Sequence, residues 1–168
     1  VSRSAHAAIK GYEYQFDRTL LIILGAPAPA IVDIEGIEDI DLIDANIAQA
    51  TQVKYYESQR YSSPKSLRDP VKLMLDHYRT GARWAYVLHV HFGDPGGLPN
   101  EFNLQELKEC LTKRDRSSGT DVEYFSGLDD AALQDFCTRM TIRNGESFED
   151  QQGSLVRELA TALTCSAD

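Results

Sequence analysis

The sequence predicts an α/β fold, a single domain in which a central mixed sheet is sandwiched by flanking helices. Three observations predict it. The elements run helix, strand, strand, strand, helix, strand, then further short helices and strands, an order that lays helices against a sheet. The 168 residues are 42% apolar and 26% charged, an ordinary globular composition with enough length for one sizeable core. No apolar run approaches the ~20 residues that a membrane span requires, and the longest here is Leu20–Leu24.

Each element has a local reason. Residues 6–24 read as a helix because Ile9, Tyr12, Phe16, Leu20 and Ile23 recur at steps of three and four. Gly25 and the APAPA run end it. Residues 30–35 and 38–43 read as strands meeting at Gly36, as a hairpin or a bulged continuation. Residues 49–56 (QATQVKYY) form a third strand, rich in Thr, Val and Tyr, and 57–66 read as a polar loop. A helix is expected over 67–80, with Pro70 in its first turn and Leu73, Met74 and His77 facing inward. Residues 83–91 (RWAYVLHVH) read as a buried strand, followed by the loop DPGGLPN at 94–100. The rest reads as a helix near 103–113, a Ser-Ser-Gly loop, a strand near 121–125 and a helix near 128–138 capped by Ser126 or Asp129. A strand at 139–143 and a helix at 147–163 follow. No internal repeat or low-complexity tract interrupts the chain.

Composition narrows the function classes. No signal peptide opens the chain, and the start at Val1 rather than Met suggests a domain from a longer protein. Cys110, Cys137 and Cys165 are odd in number and far apart, fitting neither a disulfide framework nor a metal knuckle, so a reducing cytoplasm is the expected setting. The formal net charge of −9 argues against a simple nucleic-acid-binding module, which is usually basic. The charge is unevenly spread. Residues 33–44 carry six carboxylates and no base, whereas 54–83 carry seven bases against three acids. A local basic stretch and a metal would still let an acidic enzyme meet phosphates.

Three features fall in a chemically sensible order: Gly11-Tyr12-Glu13-Tyr14-Gln15 on the first helix, Glu38-Asp39-Ile40-Asp41-Leu42 on a strand, and Gln52-Val53-Lys54 on the next. Strand alternation puts Asp39 and Asp41 on one face, and Gln52 and Lys54 on one face opposite Val53. If the strands are neighbours, Asp39, Gln52 and Lys54 converge. Phosphodiester hydrolysis wants such a group. A hard cation takes oxygen ligands and keeps several waters. Asp39 can offer a carboxylate, Gln52 an amide carbonyl and Val53 a peptide carbonyl. The Lys54 amine can position or deprotonate water and stabilise the developing charge. Taken alone, each feature also describes a wet strand face; the conjunction carries the chemistry.

These motifs resemble the Mrr-like branch of the PD-(D/E)xK nuclease superfamily, in which the last acidic position is often Gln. More closely, GYEYQ, EDIDLID, TQVKYYE and DPVKLMLDHY are similar to the N-terminal double-stranded-DNA endonuclease domain of bacterial anti-phage effectors, including nucleotide-activated CBASS effectors. The similarity covers about residues 8–92. It implies a restriction-endonuclease-like sandwich and a Mg²⁺- or Mn²⁺-dependent endonuclease that cuts duplex DNA with little sequence preference. It also implies control by a sensor or oligomerisation domain. By the same resemblance Asp39 is the metal-binding acid, Gln52 the D/E/Q position, Lys54 the catalytic lysine, and Gln15 the helix position often held by Glu. Asp41 and Glu13 are reserve acids. Gln15 and Gln52 both stand where carboxylates are common, so a catalytically degenerate fold serving regulation or assembly is the alternative.

Arg60, Lys65, Arg68 and Lys72 are the candidate contacts to the DNA backbone. Cutting two strands needs two sites or two visits, so a homo-oligomer is expected. His89 and His91 share a strand face without a third ligand and read as sheet or core residues; His6 and His77 have no obvious partner. At most one of Tyr55 and Tyr56 is free to stack on bases. Gly96-Gly97 lacks a following Lys-Ser/Thr, so no P-loop is present.

Overall fold

Apolar residues on both faces of residues 48–56 and 85–92 dictate two central strands, and the fold is built around them. The computed structural model describes residues 3–165, and the side chains of 5–164. In chain order it comprises α1 (Arg3–Gly25), β1 (Ile31–Ile34), β2 (Ile40–Ile43), β3 (Ala48–Arg60), a 3-10 turn (Pro64–Leu67), α2 (Arg68–Tyr78) and β4 (Ala85–Asp94). There follow α3 (Leu104–Leu111), β5 (Thr112–Arg114), β6 (Asp121–Glu123), α4 (Asp130–Arg139), β7 (Met140–Asn144) and α5 (Phe148–Cys165). Five strands form one mixed sheet in the order β1-β2-β3-β4-β7. β1, β2 and β3 pair antiparallel, whereas β3, β4 and β7 run parallel. The result is the expected α/β sandwich.

The two faces carry different layers. On one, Met74, Leu75 and Tyr78 of α2, Leu107, Cys110 and Leu111 of α3, and Leu133, Phe136 and Cys137 of α4 pack on Tyr86, Leu88, Val90, Met140 and Ile142. On the other lies a smaller cluster of Tyr14, Ile40 and Val53, completed by Ile22, Val32, Tyr55 and Phe148 from α1, the sheet and α5. Pleating separates the faces: Ala50 belongs to the large core, Val53 to the small one. β4 is buried from Tyr86 to Phe92 apart from the half-buried His91, as the middle of a strand with helices on both faces must be.

Local chemistry sets the ends. Asn103 and Glu106 form a capping box at α3, each side chain accepting from the other's backbone N–H at 2.9 Å. Asp129, not Ser126, caps α4, accepting from Ala132 N–H at 2.8 Å. Gly93 sits where the β3–β4 register shifts, and a Cβ there would collide with the Glu57 carbonyl.

Several expectations are corrected. β3 continues to Arg60, so 57–60 is strand rather than loop, held by the Arg60–Asp94 pairing with β4. Leu73 is exposed; only Met74 of α2's predicted inward trio is fully buried, and His77 is half-buried. β5 was not expected; it pairs with β6 in a separate two-stranded ribbon. The stripe that identified α1 faces solvent at Ile9, Tyr12, Phe16 and Ile23, while Tyr14 on the far side meets the sheet.

Candidate active site

β2 and β3 are neighbours, and their pairing ends at Ile40 with Thr51. Beyond that point the β1–β2 turn folds back over β3. Asp39 lies on this turn, and its Oδ2 accepts two hydrogen bonds, one from Gln52 Nε2 and one from Val53 N–H at 2.7 Å. Asp39 Oδ1 carries no hydrogen bond among the described residues. Gln52 is buried, and in the parallel register Gln52 and Lys54 sit beside Leu88 and Val90, whose side chains belong to the large core. Lys54 therefore projects on the same sheet face as Gln52, with Val53 on the other, as alternation requires. Lys54 is half-buried and makes no ion pair among the described residues. Asp39 and Gln52 of the predicted trio thus meet where β2 and β3 part, while Lys54 lies two residues further along the same strand face, without a direct contact to either among the described residues.

The reserve acids have other positions. Asp41 is buried and ties the turn closed: its Oδ2 accepts from Ile37 N–H at 2.6 Å and its Oδ1 from Glu38 N–H at 3.4 Å. Burial raises its pKa, and those two N–H groups work against the rise. Gly36 belongs to the same turn; a Cβ there would stand 2.5 Å from Asp41 Oδ2. Gln15 does not reach Asp39. It donates to Glu35 Oε1 at 3.2 Å, and Glu35 N–H in turn donates to the Asp39 carbonyl at 3.1 Å. Gln15 therefore braces the turn that carries Asp39. Glu13 is exposed and lines a cleft of about 530 Å³ with Tyr12, Gln15, Phe16, Ile34 and Glu35.

Glu38 is the residue that sequence reasoning passed over. It is buried, and its Oε1 has no hydrogen-bond partner among the described residues. Burial, reinforced by the neighbouring Asp39 charge, pushes its carboxyl up to about 7, while Lys54 pulls the other way. Burial also pushes the Tyr86 phenol up to about 12, with the Glu38 charge adding to it. The Tyr86 hydroxyl is hydrogen-bonded to His77 Nδ1 at 2.9 Å. His77 thus has a partner, against expectation. The Glu38 charge thus bears on the Tyr86–His77 pair as well as on its neighbour Asp39. The signal available in the sequence was the position of Glu38 next to Asp39.

The remaining polar candidates are engaged in packing. His89 is buried against Tyr14, 3.2 Å from its hydroxyl, and burial holds it neutral, down to about 3. His91 lies 3.1 Å from the Gly145 carbonyl and stacks on Tyr55 with centroids 5.0 Å apart. Both are sheet-face residues, as expected. Tyr55 packs on Tyr14 and Tyr56 on Phe92, so each ring of the pair already has an aromatic neighbour.

None of the four proposed backbone contacts is an unengaged cation. Arg60 pairs with Asp94 at 3.2 Å, Lys65 with Glu109 at 3.7 Å and Lys72 with Asp76 at 2.8 Å. Arg68 donates to the carbonyls of Cys110 and Thr112 at 2.8 and 2.7 Å, closing the C-terminal end of α3. Among the described residues, no group of three or more His, Cys, Asp or Glu is arranged to hold a metal ion. No helix of the described residues is long and apolar enough to cross a membrane. Comparison with family models, curated proteins and solved structures finds no match to this chain.

Proposed function

We propose that this chain is a metal-dependent endonuclease domain that hydrolyses phosphodiester bonds of double-stranded DNA with little sequence preference. The observation that carries the reading is the convergence of Asp39 and Gln52, in direct hydrogen-bond contact, with Lys54 on the same strand face. The donor set is all oxygen, which suits Mg²⁺ or Mn²⁺. Asp39 Oδ1, the Gln52 amide carbonyl and the Val53 peptide carbonyl would hold the ion, with the unpartnered Glu38 Oε1 as a further oxygen. Bound there, such a cation neutralises phosphate charge and acidifies water. The protein's own groups do the rest. Lys54, which makes no ion pair among the described residues, brings its amine to the attacking water and the phosphate. Gln15 and Asp41 fix the turn, so that Asp39 meets β3 in one register. The reading carries with it a cytoplasmic role in bacterial anti-phage defence, activation by another domain or partner, and a homo-oligomeric state.

One observation favours the second reading, a degenerate fold used for regulation or assembly. The Gln52 amide donates to Asp39 where a second carboxylate would demand a cation. Plasmid cleavage with Mg²⁺ and with Mn²⁺, wild type beside Lys54→Ala, separates the readings. The nuclease reading expects wild-type cleavage, a loss of about 100-fold or more in the variant, and unchanged circular dichroism. Equal cleavage by both proteins would remove Lys54 from the chemistry. Absence of cleavage together with no calorimetric Mg²⁺ or Mn²⁺ binding would leave the degenerate module.

A further inference from the structure

The stripe on α1 is built to be covered. Ile9, Tyr12, Phe16 and Ile23 are 53%, 72%, 62% and 42% exposed, and Leu20 is half-buried. At about 100° per residue these five fall within an arc of about 80°, a seam rather than a broad core face. The face of α1 that meets the sheet, with Tyr14 and Ile22, lies on nearly the opposite side. The fold therefore leaves unused the most regular apolar pattern in the helix. Ile34 of β1, 51% exposed, lines the same cleft as Tyr12 and Phe16 and widens the patch. Taking aromatic rings at about 150–250 Å² each when fully covered, these side chains offer roughly 500 Å² of apolar surface. That is near the top of what monomers leave exposed, and it would supply the core of a standard interface of about 800 Å² per partner.

The spacing fits a second copy of the same helix. The steps along the seam are three, four, four and three, the same read in either direction about Phe16. A two-fold axis requires that where residue i meets j, j also meets i. Two copies of α1 packed antiparallel about Phe16 satisfy this throughout: Ile9 faces Ile23, Tyr12 faces Leu20, and Phe16 faces Phe16. The flanking charges agree. In that register the Asp17 position lies opposite Gln15 and the Glu13 position opposite Thr19, which is itself buried, so no like charges are opposed along α1. The carboxylates around the patch, Glu13, Asp17 and Glu35, suit an anionic membrane surface poorly. We propose that the outer face of α1 is the docking surface for a second copy of this chain, paired antiparallel across Phe16. The inference rests on this face and not on the nuclease reading.

Sedimentation velocity over a concentration series tests it. Wild type is expected to dimerise, and Phe16→Glu, which would place two charges at the axis, to weaken association by about 100-fold or more. Circular dichroism is expected to be unchanged, because Phe16 lies off the sheet. The register is read by oxidative cross-linking in a Cys165→Ser background. Phe16→Cys is expected to form a self-disulfide. A mixture of Ile9→Cys and Ile23→Cys is expected to cross-link to each other and not to themselves. Four results would overturn the proposal. These are a wild type that stays monomeric to about 100 µM, a dimer indifferent to Phe16→Glu, self-cross-linking of Ile9→Cys as in a parallel pair, or a monomer whose Phe16 face binds phosphatidylcholine vesicles instead.

Discussion

Glu38 and His89 are moved in opposite directions along the pH axis by one cause, burial. His89 is shifted from 6.5 down to about 3, so between those values the folded chain binds fewer protons than the unfolded one. Its contribution rises with pH over that range and is lost on acidification. Glu38 is shifted from 4.5 up to about 7, so the folded chain there binds more protons. Its penalty grows as the pH climbs through that window. Between 4.5 and 6.5 the two trends oppose, so these two groups largely offset each other there. Glu38→Gln removes one of them. Measured by denaturant unfolding in EDTA, the variant should gain on wild type by up to about 3 kcal/mol as the pH rises from about 5 to about 8. A difference that stays constant with pH would show that Glu38 is not held protonated.

At the scale of elements, Arg68 illustrates how a surface cation becomes structural. It opens α2, and its guanidinium closes α3 through the Cys110 carbonyl, in the helix's last turn, and the Thr112 carbonyl just beyond it. Arg68→Ala is expected to cost about 2–3 kcal/mol and, in a chain of this size, to lower the melting temperature by roughly 5–10 °C. Arg68→Lys should recover little, because one ammonium cannot reproduce the fork. A melt unchanged by Arg68→Ala would restore this residue as a candidate for phosphate. The sequence distinguishes poorly between these fates, since a carbonyl brought from 42 residues away leaves no local trace. The same limit explains α1: periodicity reports that a helix has an apolar side, not which neighbour covers it. β3 was legible because alternation alone assigns Gln52 and Lys54 to one face. Glu38 was not, because a turn residue has no period to read. Asp39 is assigned through the resemblance, and tertiary folding of the turn separates it from Asp41.

At the scale of the molecule, the net charge of −9 and the pairing of Arg60, Lys65 and Lys72 leave few cations to release counterions from a duplex. DNA affinity of this chain should therefore be weak at physiological salt. A log–log salt slope shallower than about −3 is expected by fluorescence anisotropy. A steeper slope would reveal a basic surface outside these residues. The two layers on the sheet are also unequal. α2, α3 and α4 share a large continuous core with the sheet, whereas α1 and α5 rest on a small cluster in which Tyr14 and His89 are polar. Cooperative units with fewer apolar contacts open at lower free energy. The α1–α5 layer is therefore expected to open as a separate unit: its amides would trade deuterium through a partial opening while β4 and β7 stay protected, and a second copy clasped on α1 would slow that exchange increasingly as protein concentration rises.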